Sequence, residues 1–412
     1  MRNATLNRPA PGLLNEEYTF ERLKRCLDFT NDALLHLIVD GHPADEEESW
    51  YVRPEKIIAE SAFLMVFANP FKHQELIRTS FQRLGETLEP LGRSKAMLLN
   101  ICLKPSLALD YAHTHICLDV AGFPNAEFDA LVESSLKGEL INGIERTPYR
   151  ILERFWLLNL RNTETSKTER EFWIQHSALC KTPDIFSEST DAAYALTHAV
   201  MYHQENDIFD REKLAHIIEA MLIRNLDAQD YDVAGELLIS WIMLGLPLTD
   251  IIILSLEILF TIEKRVGFLP APGLDTSKLP GLEKCERRTY IFSINYHTIL
   301  VMGLLCCVML HRKFLDGITT VSAAISERDK SYLEELIQTA ASKHWIEFYY
   351  QHPKTYNWAP FIYHALLSKS IREKNFSLSH EILQKITSTS LKEAITSGQA
   401  NELLARLSRF SG

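Results

Sequence analysis

Glycine is scarce in this chain, with 16 among 412 residues, about half of the roughly 7% that is usual in proteins. Few tight turns, hairpins or phosphate-binding loops can therefore form, and helices are favoured. The sequence contains no GxGxxG, GxxxxGK[ST], HExxH or GxSxG motif. Nucleotide-dependent transfer, zinc proteolysis and serine hydrolysis are accordingly poorly supported.

Paired cysteines are also missing. The seven cysteines include no CxxC and show no paired spacing, which disfavours a zinc ribbon or a thioredoxin-type redox site. Cys306 and Cys307 lie inside an apolar run, where small buried thiols are common. We therefore expect reduced, structural cysteines and a cytoplasmic protein.

Positive charge is in deficit, since the net charge is −11 and the isoelectric point is near 5.8. Nucleic acids and anionic membranes both attract basic surfaces, so we expect neither as a partner. The first 20 residues lack the apolar core of a signal peptide. The longest apolar run, 299–310, is shorter than the ~20 residues of a membrane span and predicts a core helix.

Helical periodicity dominates what is present, and strong strand signals are scarce. Residues 16–39 repeat apolar side chains close to the i, i+3, i+4, i+7 pattern. Between 211 and 263 three apolar helices with short connectors are predicted, a spacing typical of α-hairpin arrays. The prediction is an all-α fold in which antiparallel helix pairs form an α/α toroid or a short curved α-solenoid.

Three regions are predicted along the chain. They are a flexible leader (1–14), an N-terminal helical region (15–145) and a helical-hairpin core (146–412), the last two of which can also form one continuous domain. The longest break, 267–282, contains three prolines and is either a lid or binding loop or a domain linker. Helices are expected to resume at about 287–311 and to continue at 317–326 and 329–349.

The most informative segment is 194–203, which places ionisable and aromatic side chains among apolar ones. Tyr194, His198 and Tyr202 are spaced four residues apart and share one helix face, with Thr197 beside them. Burial of such groups costs free energy unless they find partners. The segment therefore either lines a polar pocket, with His198 as acid, base or ligand orienter, or holds a core histidine bonded to a carbonyl or a tyrosine.

A second polar cluster, 293–298, leads into the apolar run. It contains His297, which could approach His198 in space. Three aspartates at 227, 230 and 232 fail the calcium-loop pattern because Asp232 stands where glycine is needed, and we interpret them as acids that complement a helix dipole. Glu236, one turn beyond Asp232 in apolar surroundings, is the better candidate for a buried carboxylate.

Four short stretches between about 110 and 310 resemble an uncharacterised bacterial family, a domain of unknown function. They are Arg146-Thr147-Pro148-Tyr149-Arg150 with Glu153 and Trp156, Tyr194-Ala195-Leu196-Thr197-His198-Ala199, Asp232-Val233-Ala234-Gly235-Glu236-Leu237-Leu238 and Tyr296-His297-Thr298. The resemblance implies an all-helical protein that works beside a biosynthetic pathway in bacteria with rich secondary metabolism. After Tyr202 the chain departs from the Asp-Phe-Gly-like turn of the family, so any role of Asp207 is in doubt.

Two functions from different classes follow as hypotheses. In the first, a soluble helical protein with a central polar pocket acts on a small molecule or peptide as a tailoring or accessory protein. His198 and His297 are then expected to exchange protons, and Glu236 to orient an imidazole or take a proton. Four residues are expected to position the substrate: Tyr194, Thr197, Tyr202 and Tyr296.

The second hypothesis is a helical-repeat adaptor that binds a protein or peptide partner without catalysis. A closed cavity with converging polar groups would favour the first function, and an open groove the second. The sequence assigns no metal ligands and leaves the cofactor unknown. A metal held by His198, His297 and a carboxylate is a third possibility.

Overall fold

The computed structural model describes residues 14–41, 52–137, 144–183, 190–203, 208–314, 358–388 and 397–409. These residues form helices joined by turns, with no β-strand among them, so the all-α prediction is confirmed. The helices predicted at 317–326 and 329–349, Asp207 and the leader up to residue 13 lie outside the described ranges.

Sixteen α-helices occur in the described ranges. They are α1 (Glu16–Leu34), α2 (Pro54–Ala68), α3 (Glu75–Gly92), α4 (Lys95–Leu103), α5 (Ala108–Ala121), α6 (Ala126–Leu136), α7 (Pro148–Leu160), α8 (Lys167–His176), α9 (Thr190–Tyr202), α10 (Arg211–Asp227), α11 (Tyr231–Met243), α12 (Asp250–Val266), α13 (Lys284–His311), α14 (Ala359–Arg372), α15 (Phe376–Ser388) and α16 (Ser397–Ser408). A π-helical turn, Leu35–Val39, extends α1, and 3-10 turns lie at Asn69–Phe71, Pro105–Leu107 and Thr276–Gly281.

Six helices pack in a closed cycle. Helix α2 contacts α5, α5 contacts α7, α7 contacts α9, α9 contacts α11, α11 contacts α13, and α13 returns to α2. Other helices pack against members of this ring: α1 against α13, α3 against α2 and α5, α8 against α7, and α10 against α11. Helices from both sides of the 145/146 boundary therefore share one apolar core, and the division into two regions stays a prediction.

Aromatic side chains fill part of the ring. The ring of Phe63 on α2 lies 5.1 Å from that of Trp156 on α7 and 5.7 Å from that of Tyr202 on α9, centroid to centroid. These contacts join helices that are not neighbours in the cycle. These three aromatic side chains therefore fill the centre of the ring where they meet.

A glycine lets two ring helices approach closely. A Cβ atom at Gly235 of α11 would lie 2.5 Å from Cγ1 of Val301 on α13, well inside the ~3.5–4.0 Å of an ordinary carbon contact. Gly235 precedes Glu236, and Val301 lies one turn beyond His297. The close approach of α11 and α13 thus brings the polar residues of these two helices together.

Helix α13 is a core helix, as predicted for 299–310. Among the described residues it is the one helix long and apolar enough to cross a membrane, but 83% of its most apolar window is buried inside the protein. It begins at Lys284 rather than near 287, because Glu283 and Glu286 form a capping box. The preceding loop, 267–282, is fastened to α13: the Ala271 N–H donates to the Asn295 side chain at 2.9 Å.

Candidate functional site

Every helix of the ring contributes an ionisable side chain to a polar cluster near its centre. These residues are Glu60 from α2, His113 from α5, Glu153 from α7, His198 from α9, Asp232 and Glu236 from α11, and His297 from α13. Burial of so many charged groups in one place is costly unless they pair with one another. Their pairing defines the candidate site.

Asp232 orients His297. Its Oδ1 lies 2.7 Å from Nδ1 of His297, and its Oδ2 accepts a hydrogen bond of 2.6 Å from the Tyr194 hydroxyl. Because Nδ1 is held in this way, Nε2 of His297 faces the opposite side, 3.8 Å from Glu60 Oε1 and 4.0 Å from Glu236 Oε1. One imidazole thus stands among three carboxyl groups.

Glu236 lies between the two histidines predicted to act together. Its Oε2 accepts a hydrogen bond from Thr197 and lies 3.8 Å from Nδ1 of His198, while its Oε1 lies 4.0 Å from Nε2 of His297. The side chain is only 3% exposed. The structure therefore brings His198 and His297 to opposite oxygens of one buried carboxyl group.

His198 has features of both a core histidine and a pocket residue, the two alternatives that the sequence leaves open. Its Nδ1 donates to the Tyr194 carbonyl at 2.8 Å, as in a core histidine, yet the ring also lines a cavity. Aromatic rings surround it, with centroid distances of 5.3 Å to Tyr149, 5.9 Å to Tyr194 and 6.1 Å to Tyr202. With Nδ1 donating, Nε2 is the acceptor of the neutral ring, and within the described residues it forms no hydrogen bond.

The two imidazoles differ in charge. Burial lowers the pKa of His198, which is therefore neutral. Burial also acts to lower the pKa of His297, but the carboxylates of Asp232 and Glu60 outweigh it and raise that pKa to about 10. Burial and the charge of Asp232 raise the pKa of Glu236 to about 8. A neutral and a charged imidazole accordingly face the same carboxyl group.

A second hydrogen-bond network, centred on the carboxylate of Glu153, positions Tyr202 beside His198. Glu153 accepts a hydrogen bond from the Tyr202 hydroxyl at 3.2 Å and another from Arg150 Nη1 at 2.8 Å. Burial raises the pKa of Tyr202 well above its usual value, so its hydroxyl remains a donor. The Trp156 ring packs 5.6 Å from the Tyr202 ring. Tyr202 is thus held in place between His198 and Glu153.

A cavity of about 870 Å³ opens beside this cluster, within the ~300–1,000 Å³ typical of small-molecule sites. The first turns of α7 and α9, the end of α8 and one side of α2 form its wall. Four residues of the cluster reach this wall together with Tyr194: Glu60, His198, Asp232 and His297. No described residue of the loop 267–282 lines it.

The structure separates the predicted site residues into two groups. Three line the cavity: Tyr194, His198 and His297. Four lie behind that wall: Thr197, Tyr202, Glu236 and Tyr296. Thr197 and Tyr202 bond to Glu236 and Glu153, while Tyr296 is 8% exposed and packs beside His297. The roles assigned to these seven residues stay predictions.

Sequence reasoning missed Asp232 and Glu60. Asp230 caps α11 by accepting from the Val233 N–H, whereas Asp232 is turned inward to Tyr194 and His297. The spacing of Asp232 and Glu236, which puts two carboxyl groups on one helix face, was a usable signal. Glu60 has no local signal, because only tertiary packing brings α2 beside α13.

The interpretation of Asp227 as an acid at a helix N-terminus is wrong. Asp227 is the last residue of α10, where the helix dipole favours positive charge. Its carboxylate is 4% exposed and lies 3.2 Å from Nη2 of Arg372 on α14. The residue therefore stabilises the packing of α14 on α10 rather than the start of α11.

The cluster also offers ligands for a cation. Asp232, Glu236 and His297 present ligand atoms that all lie within 4.8 Å of one another. His198 is not among these residues, so the set differs from the one that the sequence predicts, two histidines with a carboxylate. Carboxylate oxygens with one imidazole suit a divalent ion.

All four stretches that carry the family resemblance meet in this cluster: Arg150 with Glu153, Tyr194 with His198, Asp232 with Glu236, and His297. Neither a curated protein nor a solved structure is significantly similar to the chain. The family model described as a domain of unknown function (DUF6895) matches residues 23–307, which contain the whole cluster. The chain belongs to this family.

Proposed function

We propose that this protein binds a small molecule or peptide in its cavity and transfers protons on it, as a tailoring or accessory protein of a bacterial biosynthetic pathway. The observation that carries the proposal is the position of Glu236, whose two carboxyl oxygens lie 3.8 Å from His198 and 4.0 Å from His297. Neighbouring groups whose environments push their pKa values apart are suited to general acid–base catalysis.

His198 is the proton acceptor in this proposal. Its Nδ1 already donates to the backbone of its own helix, so a substrate proton is taken up at Nε2. The imidazolium that forms lies 3.8 Å from Glu236 Oε2, where the carboxyl group can stabilise the new positive charge. A positioned general base of this kind contributes about 10²–10⁴-fold to a rate.

His297 supplies the complementary positive charge. Asp232 holds its Nδ1, so its Nε2 faces the carboxyl groups beside the cavity. From there it can donate a proton or stabilise negative charge that develops on the substrate. Tyr194 bonds to Asp232 and lines the cavity, and it is the side chain best placed to orient a substrate against both imidazoles.

The closed cycle of six helices supports the α/α toroid over the short curved solenoid, because the end helices of a solenoid stay apart. A cavity with converging polar groups likewise favours the tailoring function over the helical-repeat adaptor, which needs an open concave surface. The seven free cysteines support a location in the cytoplasm. The net charge of −11 supports partners other than nucleic acid or membrane.

The proposal is tested with the purified protein and a defined library of metabolites and short peptides. Thermal shift identifies ligands, and mass spectrometry then follows their conversion. We expect His198→Gln to bind the same ligands while converting them about 100-fold more slowly. His311→Gln, an exposed histidine on α13, is the matched control and should behave as the wild type. Equal conversion by the wild type and His198→Gln would contradict the proposal.

A further inference from the structure

We propose that His297, Glu236 and Glu60 bind one divalent transition-metal cation at the cavity wall, with Asp232 as the outer carboxylate that orients His297. This site goes beyond the proton transfer described above and does not depend on it. Three ring helices supply its ligands: α13, α11 and α2. The argument starts from the atoms around Nε2 of His297.

Two carboxylate oxygens lie at similar distances from that nitrogen. Nε2 of His297 is 3.8 Å from Glu60 Oε1 and 4.0 Å from Glu236 Oε1, too far for hydrogen bonds. Ligands about 2.1 Å from a tetrahedral zinc ion stand about 3.4 Å from one another. Each of the two distances from Nε2 therefore exceeds the spacing in a zinc site by roughly half an ångström.

Asp232 is better placed as an outer partner than as a ligand. Both of its oxygens are occupied, Oδ1 by Nδ1 of His297 at 2.7 Å and Oδ2 by the Tyr194 hydroxyl at 2.6 Å. Histidines that bind metals through one nitrogen commonly donate the other N–H to a carboxylate, which fixes the ring and its tautomer. Asp232 and His297 have this arrangement, with Nε2 directed to the other two carboxyl groups.

One oxygen of each of these two carboxyl groups accepts no hydrogen bond within the described residues. The Glu236 side chain is 3% exposed, and within the described residues its Oε1 accepts no hydrogen bond. Oε2 of Glu60 is buried and also has no hydrogen-bond partner there. Lys56 lies 3.6 Å from the other oxygen of Glu60 and is half exposed. A cation bound beside Nε2 of His297 would give Glu236 Oε1 a partner, and it would replace the imidazolium proton as the positive charge beside Glu60.

The chemistry of the site favours a transition metal over calcium or magnesium. One imidazole nitrogen with two carboxylates suits Zn²⁺ or Mn²⁺, whereas calcium and magnesium prefer sites made of oxygen alone. Glu60 and His297 both line the cavity, so positions not filled by protein would face a substrate. The bound cation would replace the Nε2 proton of His297 and supply the positive charge opposite His198, whose Nε2 keeps its role as proton acceptor.

The test uses the full chain, stripped with a chelator and then titrated with Zn²⁺ or Mn²⁺ alone. Calorimetry and elemental analysis should give one equivalent for each chain. We expect His297→Gln, Glu236→Gln and Glu60→Gln to weaken binding at least about 100-fold, and Asp232→Asn about 10–100-fold, as for other outer partners. His311→Gln and the exposed Glu86→Gln are matched controls and should bind as the wild type does. Far-UV circular dichroism checks that each variant is folded.

The proposal is overturned if neither ion binds, or if His297→Gln and Glu60→Gln keep wild-type affinity. Glu60 is partly exposed on α2, so its variant remains informative if Glu236→Gln does not fold. Loss of the metal in His198→Gln would also overturn this ligand set, because His198 is not part of it. Failure of the metal site would leave the conversion that depends on His198 intact, so the two proposals fail separately.

Discussion

Gly235→Ala tests whether the close approach of α11 and α13 holds the site together. The added Cβ would lie 2.5 Å from Cγ1 of Val301, about 1 Å inside an ordinary carbon contact. Val301 is 2% exposed and its branched side chain has little rotational freedom in a helix, so the helices must separate. Such overpacking costs about 1–3 kcal/mol.

A second effect of Gly235→Ala opposes this loss of stability. Replacing glycine by alanine inside a helix stabilises it by about 1 kcal/mol where space allows. We therefore expect a net loss of about 1 kcal/mol in the free energy of unfolding, measured by urea denaturation. Val301→Ala should relieve the clash, so the double variant should be more stable than the sum of the two single changes predicts.

The separation of α11 and α13 should also change the geometry of the site. Gly235 lies between Asp232 and Glu236, and Val301 lies one turn from His297. We expect Gly235→Ala to weaken ligand or metal binding together with stability. Gly281→Ala, where a Cβ would meet nothing within 4 Å, is the control and should change neither. If Gly235→Ala instead raises the free energy of unfolding by about 1 kcal/mol, the full gain of alanine over glycine in a helix, the clash with Val301 is refuted.

Two further predictions concern buried charge and pH. Glu263→Gln should cost about 3–5 kcal/mol, because it removes the buried ion pair of Glu263 with the Arg22 guanidinium, which is 2% exposed. Asp28→Asn, at a partly exposed ion pair, should cost at most about 1 kcal/mol in the same denaturation assay. Burial, aided by the nearby His216, lowers the pKa of His364 to about 4. An unfolded chain therefore binds a proton at His364 more readily, and stability should fall by up to about 3 kcal/mol as the pH drops from about 6.5 to 4. His364→Gln should lose less over that range, and parallel losses in the wild type and the variant would count against this assignment.

Local patterns predicted those parts of the fold that depend on neighbouring residues. The four-residue spacing of Tyr194, His198 and Tyr202 determines one face of α9 wherever that helix packs, and the apolar run in α13 has to be buried because of its hydrophobicity. The start of α13 differs from the predicted 287, because the capping box of Glu283 and Glu286 begins the helix at Lys284. These features need only the 3.6-residue period and the chemistry of a few adjacent side chains.

The sequence by itself determined an all-helical protein with polar groups on the inner faces of α9 and α13. Tertiary structure alone decided which partners these groups meet: it turned Asp232 from a helix-end acid into the partner of His297, and it brought Glu60 to the same imidazole from α2. The physical reason is that hydrogen bonds and ion pairs act over a few ångströms in space, whatever the separation along the chain. Closing the ring of helices supplies that proximity, and no local spacing encodes it.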